Sequence, residues 1–224
     1  PEAFNGLVEG LVMSGLAMQK YRISSRPASG AGHQFSHVWE MEHLGMDQEP
    51  PLTHGFKVGL GTISVLALWE KVLEHDFTTL DVDTAVAKWP TAEEMEAKVR
   101  ANFTGDMLEP AVKQTMDKYL DADALRERLE VVRSKWPTIQ ERCRAQVMPA
   151  ARVEKIIQAV GGIYHPAQIG LTRERFHDTY YRCQMIRSRY TLLDLLVETG
   201  TISDFVEPLF ESDGFWGQRP WPQD

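Results

Sequence analysis

The 224 residues predict an all-α protein, and three observations carry that expectation. Apolar residues recur at three- and four-residue intervals along most of the chain, the spacing that lines one face of a helix. Prolines and glycines punctuate these periodic runs. Sustained period-two alternation is almost absent, and no Asn-Gly or Asp-Gly pair joins two β-branched runs.

The elements follow in order. Phe4, Leu7, Val8, Leu11, Val12, Gly15 and Met18 share one stripe of a first helix. After the loop that ends in SRPAS, Ser29 is placed to cap a second helix, with Gly30, Ala31 and Gly32 as its first turn. Thr53 caps a long run over 54–75 that ends in the charged KVLEHD. Beyond Asp81 the pattern becomes helix after helix, at 91–103, 107–119, 121–135, 137–147 and 150–160. In the last of these Val153, Ile156, Ile157 and Val160 mark a buried face. Two more helices are expected at 172–188 and 190–199. The breaks are Pro90, the TGD at 104–106, Pro137, Pro149, the glycine pair at 161–162 and Gly200. Residues 1–212 therefore read as one all-α domain. The tail DGFWGQRPWPQD, residues 213–224, reads as irregular, its aromatics packing on the surface or on a partner. No internal repeat or low-complexity tract is apparent. No glycine-rich strand–turn–helix of the dinucleotide-binding kind occurs either; GLGT at 59–62 comes nearest but lies inside a helical run.

Composition narrows the function. With 43% apolar and 25% charged residues the chain is an ordinary globular one. A net charge of −8 and the lack of any Lys/Arg block argue against nucleic acid or an acidic membrane surface as partner. A small anionic substrate fits an acidic protein that carries local positive groups. The longest apolar run, near Ile63–Trp69, is too short to span a bilayer, and PEAFNGLVEG has no basic n-region of a secretory signal. Cys143 and Cys183 lack C-x-x-C spacing and read as reduced thiols. A cytoplasmic protein is expected.

The stretch SRPASGAGHQFSHVWE carries the chemistry. His33 and His37 are four residues apart, so on a helix their imidazoles project from one face, and Glu40 continues the stripe. His54 falls in the first turn of the next helix, where free backbone amides favour an anion. If the two helices pack antiparallel across EHLGMDQEPPL, His54 approaches His33 and His37. Neutral imidazoles converging there suit a divalent cation, with carboxylate or water completing the shell. A histidine pair at this spacing is also an ordinary surface feature, and Gln34 stands where a zinc-protease motif needs glutamate.

SRPASGAGHQFSHVWEM followed by LTHGFKVGLGT resembles the metal-binding core of the glycerol-1-phosphate dehydrogenases, and most of all their bacterial, AraM-type branch. These belong to the iron-containing alcohol dehydrogenase and dehydroquinate synthase superfamily. LVEGLVMSGLAMQ resembles the helix leading into that loop, and HPAQIGLTRERFHDTYYRCQMIRSRYTLLDLLVETG resembles the closing helices. The similarity runs from about residue 7 to about residue 200 and is least distinctive over 85–150. The resemblance implies the fold of that superfamily's C-terminal metal-binding helical domain. It implies that His33 and His54 ligate a catalytic divalent metal, zinc foremost, with nickel or iron in some members. His37 is implied to contact substrate beside the metal and to serve catalysis by hydrogen-bonding the reacting oxygen or relaying its proton. The implied reaction is hydride transfer between NAD(P)H and dihydroxyacetone phosphate, with a small phosphorylated substrate, an N-terminal nucleotide-binding domain and a homo-oligomer as partners.

Departures matter as well. The family's third ligand is an aspartate upstream of this stretch, and the nucleotide-binding domain also precedes it, so the chain alone is expected to be inactive. Where this chain has Gly32 the family commonly has glutamate, which would form a capping box with Ser29. Its loss would weaken the helix start by roughly 1 kcal/mol. A dehydroquinate synthase-like lyase uses a similar histidine arrangement on the same scaffold, while SRPASG and MIRSRYT favour the dehydrogenase branch. A non-catalytic helical metal-binding or interaction module is the alternative from a different class.

Other residues have two readings each. Gly55, Gly59 and Gly61 would admit substrate or nicotinamide to the backbone, or allow tight helix contact. Lys57, three residues after His54, would steer phosphate, with a solvated lysine the plainer reading. Arg187 and Arg189 suit phosphate, but Asp194 and Glu198 at helical distances favour an ion-pair network. His165 and His177 read as loop and surface residues, and Tyr164, Tyr180, Tyr181 and Tyr190 as packing between helices. Glu40 would hold an imidazole tautomer, or simply face solvent.

Overall fold

A computed structural model describes residues 2–20 and 24–222. Among them there are eleven α-helices, a few 3-10 turns and no strand, so the chain is all-α. No described helix is long and apolar enough to cross a membrane.

The centre of the fold is a helix pair. α2 (Ala31–Met41) and α3 (His54–Glu74) pack antiparallel across the expected connection. Phe35, Val38 and Trp39 of α2 are fully buried, as are Leu60, Ile63 and Leu68 of α3. Close approach is set by two glycines. A Cβ on Gly61 would lie 2.3 Å from the Gly32 carbonyl oxygen, and one on Gly32 would lie 3.1 Å from the Thr62 nitrogen. Of the two readings of these glycines, Gly61 therefore serves helix contact. Gly32 does so too, which explains its presence better than a missing capping partner. A second correction concerns Ser29: the N-cap of α2 is Gly30, with no side-chain cap, because Ser29 closes the preceding turn onto Ser25. Thr53 does cap α3, its hydroxyl accepting from the Phe56 amide.

The remaining helices wrap this pair. α4 (Val82–Ala87), α5 (Ala92–Asn102) and α6 (Leu108–Met116) are short, and α5 carries a Thr91/Glu94 capping box. α7 runs unbroken from Ala122 to Arg144, although Pro137 was expected to divide it. A helix-interior proline costs about 3 kcal/mol, and tertiary contacts on both sides of it offset that cost. Trp136 is buried edge-on to Phe77 at 4.7 Å and donates to the His75 carbonyl. Gln140 and Arg144, beyond the proline, both donate to the Leu73 carbonyl. α8 (Ala150–Ala159) begins under Glu70 of α3, whose carboxylate accepts from the Ala150 amide at 2.7 Å. Its predicted buried face is only partly realised. Val153 and Ile157 pack against the core, whereas Ile156 and Val160 point to solvent.

α9 (Arg173–Arg182) ends before the predicted 188, passing into a 3-10 turn over Cys183–Ile186. α10 (Leu192–Glu198) and α11 (Ile202–Phe210) follow. The tail has no regular structure through residue 222, and residues 223–224 of it lie outside the described residues. Its aromatics were expected on a surface, yet Trp216 is fully buried and donates to the Tyr180 hydroxyl at 2.8 Å. That hydroxyl donates in turn to the Ser64 carbonyl, and Trp39 donates to Thr179. The first two of these bonds tie the tail to α9 and α3, and the last, a separate one, ties α2 to α9. Burial pushes the Tyr180 phenol far above its ordinary range, which keeps it a neutral donor.

α1 (Glu2–Lys20) is the exception. It forms where its periodicity predicts, but none of its residues is buried. Phe4, Leu7, Leu11 and Val12 are each more than half exposed.

Candidate functional site

The antiparallel pairing of α2 and α3 brings His33, His37 and His54 together. Ring centroids of His33 and His54 are 5.5 Å apart, those of His37 and His54 5.6 Å, and those of His33 and His37 6.3 Å. Glu40 sits between two of them. Its Oε1 accepts from His54 Nδ1 at 2.7 Å, and its Oε2 lies 3.4 Å from His37 Nδ1. With Nδ1–H given to the carboxylate, the lone pair of His54 is left on Nε2.

Electrostatics keep two of the rings neutral. Burial first, then His54 and the Arg189 guanidinium, hold His33 below the ordinary histidine range against the pull of Glu40. His37 is lowered by burial first and by Arg187 next. Neutral imidazoles offer lone pairs to a cation without first losing a proton.

These residues fit a shared cation as an incomplete set. Two imidazoles on one zinc ion, with Zn–N near 2.0–2.1 Å, place their ring centroids about 5 Å apart. The His33–His54 separation matches that. Among the described residues, however, no group of three or more His, Cys, Asp or Glu side chains forms a site able to hold a metal ion alone. Glu40 is turned toward an Nδ1 that it already bonds, so it orients a histidine and leaves the remaining donors to come from elsewhere.

Several other readings need correction. Lys57 is buried rather than solvated, on the same α3 stripe as Gly61, and has no ion-pair partner among the described residues. Arg187 and Arg189 do not pair with Asp194 and Glu198. They precede α10 on non-helical backbone, where i,i+4 spacing has no meaning, and the carboxylates are taken by Lys118 and Arg128. Arg187 donates to the Ile186 carbonyl, and Arg189 to the Ser29 carbonyl and Ser25 hydroxyl. His165 is buried, capping a 3-10 turn and meeting Trp221 edge-on at 4.7 Å. His177 lies on α9 bonded to Glu207. Tyr190 is exposed beneath Arg128 instead of packed between helices. Sequence reasoning missed Glu42, which binds both Arg175 and Arg182 and anchors the end of α2 to α9. No local signal marks it, because its partners are more than 130 residues away.

The fold and the site define an all-α chain that carries a histidine–carboxylate cluster at a helix crossing. Its homologues are glycerol-1-phosphate dehydrogenases. The NAD(P)+ enzyme of Geobacillus thermodenitrificans is 29% identical over 195 residues, 86% of this chain and 38% of that protein. The enzyme of Archaeoglobus fulgidus is 33% identical over 136 residues, 60% of this chain and 34% of its own. That of Halalkalibacterium halodurans is 50% identical over 64 residues, 29% of this chain and 16% of its own. The chain thus spans less than two fifths of the length of these relatives. No family model matches the chain, and no solved structure matches it.

Proposed function

We propose that the chain is the metal- and substrate-binding part of an NAD(P)-dependent sn-glycerol-1-phosphate dehydrogenase. The observation that carries this is the convergence of His33, His37 and His54 around Glu40, in a sequence whose relatives bear that name.

In this reading His33 and His54 hold a divalent metal, zinc foremost, with nickel or iron as alternatives. A bound cation of this kind polarises a carbonyl or lowers an alcohol's pKa, while the nicotinamide supplies or takes the hydride. The chain's own residues do the rest. Glu40 fixes the tautomer of His54 so that Nε2 faces outward for ligation. His37, held neutral by burial and Arg187, hydrogen-bonds the reacting oxygen and passes its proton. The third ligand and the nucleotide-binding domain are assigned to the part of the relatives that this chain does not span. Residues 1–212 are the domain that carries the site, with 213–224 as its irregular tail, and the working protein is a homo-oligomer.

The test is calorimetric titration of the chain with zinc and with nickel, alongside His54→Ala. Weak binding that the substitution abolishes is the expected result. Tight binding, or binding that survives His54→Ala, would overturn the two-histidine assignment. The chain alone is expected to show no turnover with NADH and dihydroxyacetone phosphate.

A further inference from the structure

The stretches SRPASG and MIRSRYT, which favour the dehydrogenase branch, bind each other in the structure across a separation of 160 residues. Arg189 donates to the Ser29 carbonyl at 2.6 Å and to Ser25 Oγ at 3.1 Å. Two residues on, the Thr191 hydroxyl is shared between the Gln34 side-chain carbonyl at 3.2 Å and Asp194 Oδ2 at 2.9 Å. The first turn of α2 is thus gripped on both sides, at Ser29 before it and at Gln34 after it.

The far end of this grip is anchored. Asp194 is buried, accepts from the Thr191 amide at 2.8 Å and pairs with Lys118 at 2.5 Å. Lys118 is tied in turn to the Gln184 carbonyl. Gln34 is 1% exposed, and its amide nitrogen has no partner among the described residues, so Thr191 supplies the one hydrogen bond of that side chain. A buried polar group with a single partner is costly to leave without it. The turn needs such support. Gly30 caps α2 with no side-chain bond, and Gly32, required for the contact with Gly61, is a poor helix former. His33 sits in this turn beside Gln34, and its ring faces that of His54 at 5.5 Å. Ligands of one ion must be held to within about 0.5 Å of their working geometry.

We infer that Thr191, acting through Gln34, and Arg189, acting through Ser29, are positioning residues that fix His33 against His54. The consequence for metal binding rests on the proposed function, whereas the hold on α2 does not.

Two measurements on the 224-residue chain test this: hydrogen–deuterium exchange read by mass spectrometry, and calorimetric titration with zinc. Gln34→Leu cuts the link from the α2 side and leaves the start of α10 untouched. Thr191→Val cuts it from the other side and also removes the threonine hydroxyl at the start of α10, while Thr191→Ser keeps that hydroxyl. Gln34→Leu and Thr191→Val each speed exchange at residues 33–35 about fivefold, as loss of one hydrogen bond should. Only Thr191→Val also speeds it over 192–198. Zinc binding weakens to a similar extent in both, and Thr191→Ser stays close to native in each measurement. Thermal melts by circular dichroism show that every variant is folded. Native exchange at 33–35 in Gln34→Leu, or a Thr191→Val effect confined to α10, would overturn the inference. So would faster exchange with zinc affinity unchanged, since the link would then support the helix without placing His33. Where the native chain binds no zinc, the dehydrogenase reading fails by itself and the exchange rates still decide whether the grip on α2 exists.

Discussion

Glu40 does more for the site than any residue except the histidines themselves. Its carboxylate holds His54 by Nδ1 and reaches His37, so one side chain orients two rings. Glu40→Gln is expected to weaken zinc about tenfold, the effect of losing an outer partner of a ligating histidine, with little change in fold. Calorimetry beside native protein checks this. A second expectation comes from protonation. His33, His37 and His165 are all lowered from 6.5, each mainly by burial. The unfolded chain therefore takes up protons at these positions before the folded one does. Stability is full above 6.5 and is lost as pH falls through 6.5 toward the depressed folded values. Urea midpoints should be lower at about pH 5.5 than at about pH 7.5, with the gap narrowed in the double variant His33→Gln/His37→Gln. The histidines were legible in the sequence because four-residue spacing is a local signal. The carboxylate pairs were not. Arg187 and Asp194 are seven residues apart in the sequence, but a helix begins between them and sends Asp194 to Lys118.

At the scale of elements, the crossing of α2 and α3 sets the distance between His33 and His54. Gly61 lets the backbones meet, since its Cβ would fall 2.3 Å from the Gly32 carbonyl and 3.0 Å from Phe35 Cβ. Gly61→Ala should gain about 1 kcal/mol in helix propensity and lose more to overpacking, for a net destabilisation of about 1–2 kcal/mol. The same substitution pushes the helices apart, so zinc affinity should fall along with the urea midpoint. A variant that is destabilised but binds zinc normally would show that the crossing does not set the site. The tail gives a contrasting case. Trp216→Ala empties a fully buried position and removes the indole donor to Tyr180, so about 3–5 kcal/mol should be lost. Helix existence was readable from periodicity at nearly every step. The errors came where long-range packing overrode local rules: Pro137 inside α7, and a Pro/Gly-rich tail whose tryptophan completes the core. α4, only six residues long, is too short for a periodic signal to establish, and Pro208, which α11 accommodates in its last turn, reads locally as a helix breaker.

The whole molecule has one inconsistency with a self-sufficient fold. One large core and a smaller cluster where α4 meets the start of α7 hold the other helices together, but α1 stands outside both with no buried residue. Of its stripe, Phe4, Leu7, Leu11 and Val12 are more than half exposed and Val8 is 42% exposed, while Gly15 and Met18 are half-buried. Three glycines at 6, 10 and 15 cost helix stability of about 1 kcal/mol each, so propensity alone does not hold nineteen residues helical in water. The helix needs a surface to cover that stripe, and a contiguous apolar face left open to water promotes association. The chain is therefore expected to bind a hydrophobic dye and to self-associate in sedimentation experiments. Leu7→Glu/Leu11→Glu should suppress both while shifting the melting temperature by no more than about 1 °C, since no core contact is lost. A melt lowered by several degrees would mean that α1 packs on its own bundle. The periodicity that revealed α1 could not distinguish these cases, because an amphipathic pattern specifies that a face is to be covered and says nothing of what covers it.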